Sequence, residues 1–297
     1  MTVAVTQAGP VARAITNTRA GRALASRFVA GETLNDAAEV AKSLNGQGLL
    51  VSLDHLGEEV DDEATVIRAT DEYLECLDRI AADGLEANIS VKPTQLGLAI
   101  DEDLALRCID RLAEKAAEVR TTVTIDMEDS RYTDATVRLY EKAQSAHGNL
   151  GMALQAYLYR TPEDLERLMP LGGHIRLCKG AYVEPGDIAF TSKADVDSAF
   201  ASLLETLMAS PDTKPAIATH DPKLVDLARE LAAGREGPME FQMLYGVRPD
   251  LQRRLADEGY EMRIYVPFGS QWYPYLTRRL AERPANAWFF AKALIPR

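Results

Sequence analysis

The sequence lacks any hydrophobic stretch long enough to cross a membrane, because no run approaches the ~20 apolar residues that a spanning helix needs. Its first residues also lack the apolar core of a secretory signal peptide. The three cysteines, Cys76, Cys108 and Cys178, are far apart and form neither a disulfide framework nor a CxxC motif. These absences favour a reducing compartment. We therefore expect a cytoplasmic protein, with peripheral binding at the inner face of the cell membrane as the alternative.

Positive charge is also scarce. The chain has 33 lysines and arginines against 45 acidic residues, a net charge of −12. Nucleic acid is thus excluded as the main partner, since phosphate binding needs a basic face. His55, His147 and His174 show no ligand spacing with acidic or cysteine partners, so we expect no metal site.

What is present is a regular alternation that starts after Gly46-Gln47-Gly48. Eight short apolar runs, typical of strands buried on both faces, lie at 49–54, 87–92, 121–126, 151–156, 174–179, 216–220, 239–243 and 262–266. Helical patterns follow them at 62–82, 102–119, 134–146, 162–169, 195–208, 221–233, 248–258 and 272–281.

Eight strand–helix units predict a (βα)8 barrel of the TIM type, an α/β fold, over residues 48–297. Residues 1–47 are predicted to form an N-terminal helical segment, with Thr33 and Asp36 opening one of its helices. The competing fold is an open doubly wound sheet, but no GxGxxG follows any strand, so its dinucleotide-binding version has no support.

Polar side chains follow the predicted strands where each strand ends. They are Asp54, Lys92, Asp126 with Glu128, Gln155, Arg176 with Lys179, Thr219 with His220, Gln242, and Tyr265. In a (βα)8 barrel these ends meet at one mouth, where active sites lie. Charges gathered there need partners or a charged ligand, since desolvating them singly is costly.

The last helical stretch carries Tyr275, Arg278, Arg279 and Glu282 at spacings that place all four on one face. Two adjacent arginines suit a carboxylate, because a guanidinium can bind that group through two hydrogen bonds. The alternative is a solvated surface helix with an Arg–Glu pair.

Several motifs together resemble proline dehydrogenase, including the equivalent domain of the bifunctional proline utilisation flavoenzymes. They are SVKPTQLG (90–97), IDMED (125–129), LQAYLYRT (154–161), IRLCKGAY (175–182), ATHD (218–221), EFQMLYG (240–246), RIYVPFG (263–269) and YLTRRLAE (275–282). The resemblance implies a distorted barrel that binds FAD and oxidises L-proline to 1-pyrroline-5-carboxylate. This reaction is the first step of proline degradation to glutamate, with electrons passed to a membrane quinone. Because the chain ends after the final helix, we expect a monofunctional enzyme.

The resemblance also implies residue roles. Substrate-binding residues are Lys92, Arg278 and Arg279 at the carboxylate and Tyr265 and Tyr275 at the ring, with Leu177 and Tyr182. Asp126 and Arg176 are active-site residues, and Asp54 and Glu58 belong to a motif that gates the site. FAD-contacting positions are Met127, Gln155, Lys179, Gly180, Ala181, Thr219 and His220. We expect Asp126 to orient Arg176 and Lys92 rather than act as a base.

One departure from the family pattern and three rival functions remain. Val183-Glu184-Pro185 replaces a position that is often tryptophan in the bifunctional enzymes, which predicts a different adenine environment. The rivals are a trans-4-hydroxy-L-proline dehydrogenase, which the size of Tyr265 disfavours, and a Schiff-base aldolase using Lys92 or Lys179. The third is a catalytically silent proline or flavin sensor. The sequence leaves the oligomeric state open.

Overall fold

The computed structural model of the protein describes residues 25–281. Eight parallel strands form a closed barrel in sequential order, and β1 pairs with β8 to complete it. The strands are β1 (Leu50–His55), β2 (Ala87–Val91), β3 (Val123–Ile125), β4 (Leu150–Gln155), β5 (His174–Cys178), β6 (Lys214–Ala218), β7 (Glu240–Leu244) and β8 (Glu261–Phe268). The predicted (βα)8 fold is therefore confirmed.

Helices lie between the strands and at both ends of the described chain. They are α1 (Leu34–Asn45), α2 (Glu63–Asp83), α3 (Glu102–Glu118), α4 (Ser130–His147), α5 (Thr161–Leu168), α6 (Lys193–Ala209), α7 (Pro222–Ala232), α8 (Pro249–Asp257) and α9 (Trp272–Ala281). A 3₁₀ turn, Met169–Leu171, follows α5. The helix predicted at 134–146 begins earlier, at Ser130, because Asp129 caps it by accepting a hydrogen bond from the backbone N–H of Arg131.

Side-chain caps fix where several helices start. Thr33 and Asp36 form a capping box at α1, as the sequence predicts. Asp62, Asp101 and Asp221 each accept a backbone N–H in the first turn of α2, α3 and α7. Because the three aspartate caps each follow a loop that leaves a strand, they help to define the loops around the barrel mouth.

The barrel is distorted at its closure. Helix α1 packs against β1 and β8, and its alanines Ala37, Ala38 and Ala41 lie in the same core as the barrel strands. Helix α9, which follows β8, instead packs in a separate small cluster with Phe28, Val29 and Leu56. The place beside β8 is thus taken by α1, and α9 is free to lie near the barrel mouth. The predicted division at residues 47 and 48 stays a prediction.

No helix among residues 25–281 is long and apolar enough to cross a membrane. Residues 1–24 of the predicted N-terminal helical segment lie outside the described residues.

The inside of the barrel is polar. Side chains alternate along each strand, so in β5 Ile175 and Leu177 join the core beneath the helices while His174 and Arg176 make contacts inside the barrel. The hydroxyl oxygen of Thr124 lies 2.7 Å from His174 Nε2. Gly151, the strand neighbour of His174, leaves room for the imidazole ring, which a methyl group at that position would overlap.

This close approach predicts that Gly151→Ala destabilises the protein. The added methyl group would push the buried imidazole and should lower the free energy of unfolding by about 1–3 kcal/mol. Gly234→Ala is the matched control, because a methyl group there meets no atom within 4 Å. Urea unfolding of both variants provides the measurement, and equal stabilities would contradict the packing described here.

His174 also predicts a pH effect. Burial lowers the pKa of its imidazole to about 3, whereas the unfolded chain has the ordinary value of 6.5. The unfolded state therefore binds a proton first, so this contribution to stability is lost as the pH falls from about 6.5 towards 3. Between pH 7 and pH 5 the wild type should lose about 2 kcal/mol more than His174→Gln. Urea unfolding at both pH values measures this difference, and parallel losses would rule out the buried neutral imidazole.

Candidate functional site

A cavity of about 620 Å³ opens at the carboxyl ends of the strands. Most of the site residues predicted from the sequence line it, namely Asp54, Lys92, Asp126, Met127, Gln155, Arg176, Lys179, Gly180, Ala181, Tyr182, Thr219, His220, Tyr265, Tyr275 and Arg278. Glu58 and Leu177 do not line it. This volume is within the usual range for small-molecule sites. The convergence of strand ends that the sequence predicts is thus present.

Asp126, directly after β3, binds side chains from three other strands or strand ends. Its Oδ1 accepts hydrogen bonds from Ser90 Oγ at 2.6 Å and from Arg176 Nη1 at 2.5 Å. Its Oδ2 accepts one from the Tyr265 hydroxyl at 2.7 Å. Burial would raise the pKa of this carboxyl, but the charges of Arg176 and Lys92 outweigh burial and lower it. Asp126 is therefore a carboxylate with its oxygens already bound.

Lys92 lies opposite, with its ammonium held by carboxylates. Its Nζ donates to Asp54 Oδ1 at 2.6 Å and lies 3.5 Å from Asp126 Oδ2. Burial alone would lower the pKa of Lys92, but Asp54 and Asp126 outweigh it and raise the pKa above the usual value. Lys92 is thus a fixed cation. Asp54, predicted together with Glu58 as part of a gate motif, pairs with Lys92; its role in a gate stays a prediction.

Arg176 projects from β5, and two of its three guanidinium nitrogens donate hydrogen bonds to neighbouring side chains. Nε donates to Gln242 Oε1 at 2.5 Å, and Nη1 donates to Ser90 Oγ at 2.9 Å as well as to Asp126. The guanidinium carbon lies 5.2 Å from the ring centre of Tyr265, close enough for a cation–π contact. Nη2 is buried and has no hydrogen-bond partner among residues 25–281, although Arg176 lines the cavity. A ligand in the cavity can supply that partner.

Arg278 lies on α9 and forms a two-point ion pair with Glu58. Its Nη2 and Nη1 lie 2.5 Å and 3.1 Å from the two carboxylate oxygens. The Arg278 guanidinium also packs over the ring of Tyr182, 5.8 Å from its centre. Tyr275 is buried on the same helix and lines the cavity. The side chain of Arg279 lies outside the described part of the chain.

The loop after β5 approaches the cavity closely. Gly180 has a φ of +131°, and a Cβ there would lie 2.5 Å from the ring of Tyr157, so only glycine fits. Gln155 fixes the loop: its amide donates to the Glu128 carbonyl at 2.8 Å and accepts from the Ala181 N–H at 3.1 Å. This part of the wall is therefore backbone held in place by a side-chain amide.

Charged groups also line the other side of the cavity. Lys179 Nζ lies 2.5 Å from Asp197 Oδ1 and 2.9 Å from Asp221 Oδ2, and Lys193 contacts the same two carboxylates. His220 Nε2 accepts a hydrogen bond from the Leu244 N–H at 3.1 Å. The two lysines and two carboxylates balance in charge, and the ammonium groups of the lysines can also donate to an anionic ligand.

Glu128, one of the polar residues predicted at the strand ends, is buried. Thr94 donates to it through both its backbone N–H at 2.8 Å and its hydroxyl at 2.6 Å. Burial raises the pKa of Glu128 to about 7. The Thr94 hydroxyl in turn accepts from the Glu59 N–H at 3.1 Å, which anchors the loop that carries Glu58.

Two differences from the sequence-based site have physical reasons. Leu177, predicted to wall the ring of the substrate, lies in the core instead, because it alternates with Arg176 along β5. Lys193 and Arg248 line the cavity but were not predicted. Each lies at the start of a helix, beyond the strand ends on which the prediction was based. A search of the loops that follow each strand could have found both.

Comparison with known proteins gives a family for this site. The family model described as proline dehydrogenase matches residues 37–292. Proline dehydrogenase 1 of Bacillus subtilis (strain 168) is 40% identical over 274 residues, covering 91% of this chain and 90% of the relative. Proline dehydrogenase of Deinococcus radiodurans is 37% identical over 281 residues, covering 92% and 90%. Bifunctional protein PutA of Escherichia coli is 27% identical, and this chain spans 24% of its length.

Solved structures share the fold. Proline utilization A of Bradyrhizobium japonicum superposes with a TM-score of 0.78 at 26% identity, covering 96% of this chain and 33% of that one. The Bdellovibrio bacteriovorus protein, inactivated by N-propargylglycine, gives a TM-score of 0.83 at 24% identity, covering 88% and 33%. This chain therefore spans about a third of those proteins. With the family model covering most of its length, the chain belongs to the proline dehydrogenase family.

Proposed function

We propose that the protein is a monofunctional, FAD-dependent dehydrogenase that oxidises L-proline to 1-pyrroline-5-carboxylate and passes the electrons to a quinone. The product then leads towards glutamate. The observation that carries the proposal is one cavity where Lys92, Asp126, Arg176 and Tyr265 meet Arg278 from α9. Family membership and a relative named proline dehydrogenase at 40% identity support it.

The cavity has the chemistry that FAD requires. Nη2 of Arg176 is a buried donor without a partner among the described residues, suited to an electron-rich ring atom. Gly180 and Ala181 provide close backbone approach, and Lys179 with Lys193 supplies ammonium donors for phosphates. Met127, Gln155, Thr219 and His220 complete the proposed cofactor contacts. When bound, FAD supplies the hydride acceptor that no amino-acid side chain offers.

The proposed substrate site lies between Arg278 and Lys92. A proline carboxylate can replace Glu58 on the Arg278 guanidinium, since both ligands present the same two-oxygen group. Glu58 thus acts as a gate that holds the arginine when substrate is absent. Lys92, Arg279, Tyr265 and Tyr275 are proposed to complete the contacts. Fixing the carboxylate fixes the ring, which is what positions the reacting carbon.

The charges of the site support roles for Asp126 and Lys92. Asp126 is a carboxylate bound on both oxygens, so it orients Arg176 and Tyr265 instead of removing a proton. Lys92 and the arginines favour the neutral form of the substrate amine, whose lone pair forms the new C=N bond. A Schiff-base aldolase needs a neutral lysine, whereas the pKa of Lys92 is raised by Asp54 and Asp126 against the effect of burial.

Proline is preferred over its 4-hydroxylated form in this proposal. The Tyr265 side chain is fixed by Asp126, lines the cavity and lies against Arg176, which leaves it little freedom to make room for a ring hydroxyl. Comparing turnover of L-proline with that of trans-4-hydroxy-L-proline decides between the two substrates.

The absorbance spectrum of the purified protein tests the proposed reaction. We expect flavin bands that bleach when L-proline is added without oxygen, and that return when a soluble quinone is added, because the site would transfer a hydride. A colourless protein that does not take up added FAD would refute the cofactor. Flavin bands that proline leaves unchanged would favour the silent sensor. Trapping by borohydride in the presence of a carbonyl substrate would favour the aldolase.

Arg278→Ala tests the carboxylate contact. Loss of a charged hydrogen bond of ~2–3 kcal/mol should raise KM for proline roughly 30- to 150-fold. Arg253→Ala, an exposed arginine on α8, is the matched control for loss of one positive charge. Glu58→Gln should lower KM, because the competing carboxylate is gone. A KM unchanged in Arg278→Ala, measured by steady-state kinetics with a quinone acceptor, would contradict the contact.

A further inference from the structure

A line of hydrogen bonds runs below the cavity, inside the barrel, and ends on Arg176. Gln242 of β7 accepts from Arg176 Nε through Oε1 at 2.5 Å, and its amide nitrogen donates to Glu240 Oε1 at 2.5 Å. Glu240 in turn accepts from Arg263 Nε at 2.8 Å and Nη2 at 3.1 Å. We call this line of four side chains the relay. Its members are Arg176, Gln242, Glu240 and Arg263.

The order of donors and acceptors in this relay depends on Glu240. An amide side chain can point either its oxygen or its nitrogen at a neighbour, and the two orientations are similar in shape. A carboxylate only accepts, so Glu240 selects the orientation in which the Gln242 nitrogen faces it. The Gln242 oxygen then faces Arg176, which only donates. Glu240 and Arg176 therefore select the same orientation of Gln242, in which the Gln242 oxygen accepts from Arg176.

The charge of Glu240 is itself secured. Its carboxylate is almost fully buried, and burial would raise its pKa, but Arg263 outweighs burial and lowers the pKa to about 2. Lys214 lies 3.3 Å from Oε2, and His174 and Arg176 are the other charged or titratable groups near this part of the barrel interior. Glu240 consequently stays an acceptor throughout the pH range in which the enzyme can be assayed.

Arg176 has a defined orientation for the same reason. Gln242 holds Nε, while Ser90 and Asp126 hold Nη1, so the planar guanidinium is fixed from two sides. That leaves Nη2 as the guanidinium nitrogen with no hydrogen-bond partner among the described residues, on a side chain that lines the cavity. If Gln242 turned its nitrogen towards Nε, two donors would face each other and the plane would have to rotate. The direction of Nη2 thus depends on a carboxylate two residues before Gln242.

We propose that Glu240 is a positioning residue that acts through Gln242 to aim Arg176 at the cofactor. This inference rests on the proposed function, since it takes the ligand of Arg176 to be FAD. A well-placed guanidinium stabilises the negative charge that reduction adds, so it favours the reduced cofactor. Loss of the relay should therefore make FAD harder to reduce while leaving the carboxylate contacts of Arg278 in place.

The test compares Glu240→Gln, Gln242→Leu and the double variant, each purified with FAD. The first readout is the reduction potential of the flavin, measured by spectroelectrochemistry. We expect each single variant to shift the two-electron equilibrium about tenfold towards the oxidised form, which corresponds to about 30 mV. The second readout is the rate of anaerobic flavin reduction by proline, which should fall in parallel while the apparent Kd for proline changes less than about twofold.

The double variant distinguishes positioning from a general electrostatic role. If Glu240 acts through Gln242, removing both should cost no more than removing Gln242, a shift of about tenfold. A shift of about a hundredfold, the product of two independent effects, would overturn the proposal. Glu261→Gln is the matched control: Glu261 pairs with Glu240 in strand register and also contacts Lys214, but it is half exposed and makes no contact with Gln242. Its potential should equal that of the wild type.

Two further outcomes are decisive. Gln242→Leu keeps the Glu240–Arg263 pair, so an unchanged potential in this variant alone overturns the relay even if Glu240→Gln does not fold. A wild-type protein that binds no flavin, or whose flavin is not bleached by proline, instead refutes the proposed function. Failure of the relay leaves normal bleaching in the wild type, so the two failures give different spectra.

Discussion

The site depends on the fact that each charge buried in a barrel needs an opposite charge or a hydrogen-bond partner close to it. Asp126 is the centre of that matching: its two oxygens bind Ser90, Arg176 and Tyr265, and its charge also lies beside Lys92. Removing one charge from such a group leaves another uncompensated in a low-dielectric interior, where the cost is several kcal/mol by the usual estimates. The strands that contribute these side chains are far apart in sequence. The ionic contacts and the closed barrel therefore require each other.

Because most charged groups of the site are paired with one another, only a few remain available to bind a ligand. Arg176 keeps one terminal nitrogen, and Arg278 is held by a carboxylate on a loop, which an incoming carboxylate can replace. The interior below the cavity is polar rather than filled with the branched aliphatic layers common in such barrels. Polar side chains below the cavity can fix the orientation of the groups that line it through hydrogen bonds, as well as through packing. That is a reason for a redox enzyme to keep charged residues where packing alone would favour valine or isoleucine.

Much of this architecture can be predicted from the sequence because strand and helix periods differ and strand ends carry the polar residues. The eight strands, and the meeting of most of the expected site residues around one cavity, follow from that pattern together with the family motifs. Leu177 was misplaced because the motif match ignored the alternation of side chains along β5. Lys193 and Arg248 were missed because they follow loops, and a loop has no periodic sequence pattern from which its path can be predicted. The position of α1 beside β8 depends on tertiary packing, which no local pattern encodes.

The cluster around α9 links the beginning of the described chain to the side of the cavity that Tyr275 and Arg278 line. Trp272, Tyr275 and Leu276 pack against Ala25, Phe28 and Val29 in a core separate from that of the barrel. A small satellite core of this kind can loosen without unfolding the barrel, because local openings cost less than global ones. Arg278 lies on α9 and would move with this helix. Sequence variation around residues 25–29 can therefore alter the position of Arg278, the proposed carboxylate contact, although these residues lie at the other end of the described chain.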